Sequence, residues 1–152
     1  MRKLRKLFLQ SYLDNCSIEE GLKAEMVFNL AFGLFLVGIV LSPLGLLIES
    51  ENRILLVWAN FGFSFCYLLS IWFLQRWQVL RIASLVFCSI LFVSLTFNLF
   101  LSAGGRPDTS FPLLFIILIL VAHFTLGRRW SVAFSYLLIL SLVVSLTLHI
   151  LK

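Results

Sequence analysis

The residues that could do chemistry in this 152-residue chain are two histidines, three cysteines and seven acids. A haem or metal site built on paired imidazoles would need His123 and His149 side by side. His123 stands four residues before Gly127, whereas His149 follows Trp130 by 19 residues. At about 1.5 Å per helical residue the two imidazoles fall toward opposite ends of their apolar runs, which argues against a shared site. The acids Asp14, Glu19, Glu20, Glu25, Glu49, Glu51 and Asp108 lie in the N-terminal segment or in polar connections, so no acid converges with a histidine inside a run. The chain has no Cys-x-x-Cys, no glycine-rich nucleotide loop and no Ser/His/Asp set. These observations predict no catalytic constellation, no metal site and no resident cofactor. Cys16, Cys66 and Cys88 are odd in number, and two of them lie inside apolar runs, so no disulfide framework is expected.

The elements that must position these residues are set by solvent. With 61% hydrophobic residues, 12% charged residues and a mean hydropathy of +1.06, the composition is far more apolar than that of a water-soluble domain. Uncharged runs at 26–48, 54–74, 82–101, 112–126 and 130–151 read as five transmembrane helices. The fold class predicted is all-α: an integral membrane, up-and-down helical bundle of residues 26–152, preceded by an amphipathic segment of residues 1–25. Continuous rather than alternating hydrophobicity excludes a β-barrel.

In residues 1–16, Leu4, Leu7, Phe8 and Tyr12 stand at helical spacing among basic residues, a pattern suited to the surface of an anionic leaflet and equally to a frayed tail. Ser17-Ile18-Glu19-Glu20 is a capping-box sequence and predicts a helix that starts there and continues into the first span. Nine basic residues fall on the side of the N-terminus and three on the other, a positive-inside bias that places the N-terminus in the cytoplasm of an inner membrane and the C-terminus outside. That placement of the positive charge reports topology and gives no reason to expect a nucleic-acid partner. Short connections are expected at 49–53, 75–81 and 127–129. Ser84/Cys88, Ser131/Ser135 and Ser141/Ser145, with Asn60/Ser64 and Ser94/Asn98, recur four apart, as small and polar residues do where membrane helices approach closely.

The longest polar interruption after the first span is Ser102 to Pro112, "SAGGRPDTSFP". Gly104 and Gly105 permit a sharp reversal, and Pro112 is tolerated in a first helical turn. The run 112–126 covers about 22 Å of helix against roughly 30 Å of hydrocarbon, so the polar residues before it are expected to be drawn toward the membrane. Asn60 and Asn98 lie at a similar depth. The candidate ligand- or signal-binding residues are therefore Asn60, Asn98, Gly104, Gly105, Arg106, Asp108 and Phe111, with a lipid headgroup, a quinone or another small amphipathic molecule as the ligand class. His123 is the candidate polar residue inside a span; the alternative for it is a neutral imidazole hydrogen-bonded to a neighbouring helix.

The segment Asn98 to Arg129, with Gly104-Gly105, the Phe111-Pro112 pair and Gly127-Arg128 at its far end, resembles the third-to-fourth helix region of the multi-helix membrane input domains of bacterial sensor histidine kinases. A redox-responsive subgroup binds quinone at a Gly-Gly-x-x-Asn-Pro-Phe loop; here the aromatic and the proline stand in the opposite order with two further residues intervening. The resemblance implies a sensory input module of a two-component system, a homodimer, and a cytoplasmic effector or partner protein. Members with six spans return the chain to the cytoplasm, whereas five spans leave Lys152 outside, so the expectation is the sensory part, or a shortened copy, of a longer protein. The competing expectation is a free-standing membrane protein that serves as a subunit or assembly partner of a transporter or membrane enzyme complex.

Overall fold

The computed structural model describes Leu13 and residues 16–43, 53–102 and 110–151. Among them are five helices and no strand: α1 (Ile18–Leu41), α2 (Arg53–Trp77), α3 (Leu80–Ser102), α4 (Ser110–Leu126) and α5 (Arg128–Ile150). Four of these, α1, α2, α3 and α5, are long and apolar enough to cross a membrane, and α4 is a shorter apolar helix of 17 residues. Among the described residues this is an all-α architecture.

Each boundary has a local cause. Ser17 is extended, and its Oγ accepts a 3.3 Å hydrogen bond from Glu20 N, satisfying one free donor of the first turn of α1, where Glu19 and Glu20 also suit the helix dipole. At the other end Ser42 turns both its N–H and its Oγ onto the Gly38 carbonyl, and Pro43 brings no N–H with which to continue the ladder. The first helix thus ends at Leu41, well short of the Ile48 expected from hydropathy, and residues 44–48 of that expected span lie outside the described residues.

The connections at the end of the bundle that carries Ile18 are shorter than expected. Only Gln78 and Val79 separate α2 from α3, because Gln75, Arg76 and Trp77 stay helical, and Gln78 makes the reversal with a positive φ of 52°. Gly127 alone separates α4 from α5, with φ 92° and ψ 176°. Its N–H donates back to the Ala122 and His123 carbonyls at 3.1 Å, and its own carbonyl receives Ser131 N at 3.2 Å. One residue therefore ends one helix and starts the next.

Helix α3 is the centre of the bundle. It packs against α1, α2, α4 and α5, and the remaining close pairs are the sequential ones, α1 with α2 and α4 with α5. Its buried residues Leu80, Ala83, Ser84, Phe87, Cys88, Leu91, Leu95 and Leu99 repeat three and four apart and so form one stripe. Phe87, fully buried, meets Tyr67 of α2 at a ring-centroid distance of 5.9 Å. The outward surface is apolar too: Trp58, Trp72, Trp77, Tyr136 and Ile139 are all exposed.

Helices α1 and α2 touch through a glycine. Gly38 of α1 sits directly over Ser64 of α2, where an added Cβ would overlap Ser64 Oγ and lie 2.9 Å from Ser64 Cβ.

Candidate functional site

Two polar features emerge, a seam between α2 and α3 and a cleft at the charged end. In the seam, Asn98 Nδ2 donates to Asn60 Oδ1 at 2.8 Å and Asn60 Nδ2 donates to Asn98 Oδ1 at 3.2 Å. Asn98 Nδ2 also donates to the Ser94 carbonyl at 2.8 Å, and Ser64 Oγ donates to the Asn60 carbonyl at 2.7 Å. Tyr67 of α2 hydrogen-bonds the Ser94 side chain. The four-residue spacings Asn60/Ser64 and Ser94/Asn98 thus face each other, with Gly38 behind Ser64. The two carboxamides, both candidates for an external ligand, hydrogen-bond each other, which ties α2 to α3.

Replacing either asparagine with Leu is expected to destabilise the bundle by about 1–2 kcal/mol, because the partner amide is left half-satisfied. Removing both together should cost less than the sum of the single changes. A double-mutant cycle on reversible unfolding in detergent reads the difference, and strict additivity would show that the pair is not coupled.

Of the other residues expected to bind a signal, Gly104, Gly105, Arg106 and Asp108 lie outside the described residues. Phe111 is in the first turn of α4, with its side chain likewise outside them. His123, near the end of α4, is exposed, with Nδ1 3.4 Å from Ser131 Oγ on α5. Ser131 gives its own proton to the Arg128 carbonyl at 2.9 Å, which leaves its oxygen able to accept a proton from His123 Nδ1. Cys88 is buried, Cys66 is half-buried, and both are free thiols.

The charged end holds a cleft of about 660 Å³, large enough for a small molecule. Glu20 and Lys23 reach it from α1, Gln78 and Arg81 from the α2–α3 turn and the start of α3, and His123 from α4. Cys16 lines it as well, its thiol pKa raised from the ordinary value first by desolvation and then by the Glu20 carboxylate. Lys23 is ion-paired with Glu19, one helical turn away. With Lys23 held by Glu19, the Glu20 carboxylate and the Arg81 guanidinium stand beside an imidazole and an amide, a lining suited to a polar group. No cluster of three or more His, Cys, Asp or Glu that could hold a metal occurs among the described residues.

Of this constellation only His123 stands out in the sequence. There Lys23 and Arg81 mark topology, and Glu20 belongs to a capping box. The available signal was that Ser17, the Gln78 turn and Gly127 all fall at one end of an up-and-down bundle, so the polar residues beside them must meet.

Comparison with protein-family models, characterised proteins and solved structures found no match to this chain.

Proposed function

We propose that the chain is a multi-pass membrane module for signal input. In this reading the charged end faces the cytoplasm, the opposite end receives the signal, and helix movement carries it to an effector. The observation that supports it most is the placement of α3, which bears Asn98 toward one end and Arg81 at the other while packing against every other helix. A shift of α3 set off near Asn98 would change the width of the cleft at Arg81 without any other element being free to absorb it. The resemblance of Asn98 to Arg129 to sensor input domains supports the same assignment, with dimerisation and a kinase-like partner as its corollaries.

The test uses the full chain in lipid nanodiscs, with Cys66→Ala and Cys88→Ala leaving Cys16 in the cleft to carry a fluorine tag. Gly104→Ala with Gly105→Ala, and separately Asn98→Leu, are expected to shift or split the tag resonance from the far end of the bundle. A resonance unchanged in every variant would refute transmission and favour the static role of a subunit or assembly partner in a larger membrane complex.

A further inference from the structure

A second hollow, of about 490 Å³, lies beside the cleft between the starts of α3 and α5 and the end of α4. Its polar rim is Arg81, Arg128 and Arg129, all exposed, and among the described residues no acid lines it. Its floor is Ile82, Leu85 and Leu126, with Trp130 at the side. Helix α5 begins here without a side-chain cap, because Gly127 has no side chain to offer it. The N–H groups of its first turn therefore add to the positive field of three guanidiniums.

The geometry points to a binding site for one anionic phospholipid, its phosphate held by Arg81, Arg128 and Arg129 and its acyl chains lying over Ile82, Leu85 and Leu126. Guanidiniums make paired hydrogen bonds to phosphate oxygens, and an indole at the same level suits the headgroup boundary. A free phosphate would use the rim and leave the apolar floor uncovered. A lipid uses both, which is why charge and shape together select it. The inference rests on the bilayer placement proposed above and is independent of signalling.

The experiment leaves Trp130 as the sole indole by Trp58→Phe, Trp72→Phe and Trp77→Phe, in the full chain reconstituted into phosphatidylcholine vesicles. Brominated phosphatidylglycerol is expected to quench Trp130 with about tenfold higher apparent affinity than brominated phosphatidylcholine. Arg81→Gln/Arg128→Gln/Arg129→Gln should bring the ratio near unity, whereas Arg76→Gln, outside the hollow, should leave it unchanged. Equal quenching by the two lipids, or a preference that survives the triple substitution, would overturn the site. Loss of the preference on adding millimolar inorganic phosphate would overturn the lipid assignment in favour of phosphate alone. A chain that fails to enter phosphatidylcholine vesicles overturns the membrane reading together with this one; entry without headgroup preference overturns this one only. Native mass spectrometry of the unsubstituted chain, extracted from mixed vesicles, makes the same comparison with all four indoles in place: retained phosphatidylglycerol supports the site and equal retention of both lipids refutes it.

Discussion

Gly38→Ala is expected to lower stability by about 2 kcal/mol or more. The new Cβ would overlap Ser64 Oγ and come within 2.9 Å of Ser64 Cβ, and a Cβ, unlike a side-chain tip, moves only with its backbone. The helices α1 and α2 must separate, and every contact along that interface weakens with them. Two changes on the facing residue make the argument specific. Ser64→Ala removes the hydroxyl and should restore part of the loss, while Ser64→Gly removes both obstacles and should restore more, less about 1 kcal/mol for a glycine inside a helix. Gly33→Ala, on the same helix but with nothing within 4 Å of its added methyl, should be neutral or slightly stabilising. Unfolding curves in detergent for this set would refute close helix approach if Gly33 and Gly38 responded alike.

Gly127→Ala is expected to cost a comparable amount, about 1–3 kcal/mol, for the opposite reason. A methyl there would meet no atom within 4 Å, so the cost is wholly conformational: φ 92° with ψ 176° is a region that glycine alone occupies readily. The strain would be relieved by loosening the last turn of α4, where Gly127 N–H holds the Ala122 and His123 carbonyls. Amide exchange over residues 122–131 should accelerate by about 30-fold for a 2 kcal/mol loss, with little change in the middle of α3. Uniform acceleration along the chain would mean that Gly127 acts on global stability rather than on this joint.

How much of this was legible in the sequence depended on the range of the interaction. Helix existence rests on continuous apolar runs, and the start of α1 on the local chemistry of Ser17 and Glu20; both can be read from neighbouring residues. The α2–α3 seam was half legible, since Asn60/Ser64 and Ser94/Asn98 carried the right spacing, but nothing in a spacing says that two stripes face each other. The end of α1 was missed because the apolar residues continue past Pro43, and hydropathy does not register a missing N–H. The α2–α3 connection was drawn too long because Gln75 and Arg76 are polar, yet a helix end in water accepts polar residues without breaking. Gly38 against Ser64 is a purely tertiary fact. So is the cleft, whose Glu20, Arg81 and His123 are far apart in the chain.

The joints are unequally distributed. Two residues join α2 to α3 and one joins α4 to α5, all at the charged end, whereas residues 42–52 and 103–109 join the helices at the other. Helices α2 and α3 are thus joined twice, by the turn at Gln78 and by the Asn60–Asn98 amides toward their far ends, whereas α4 and α5 meet at the single residue Gly127. Relative motion within a pair hinged at one point grows with distance from the hinge, so a sideways displacement of the far ends of α4 and α5 would reach Gly127 as a change of angle. The backbone there, at φ 92°, would therefore register tilt more than translation.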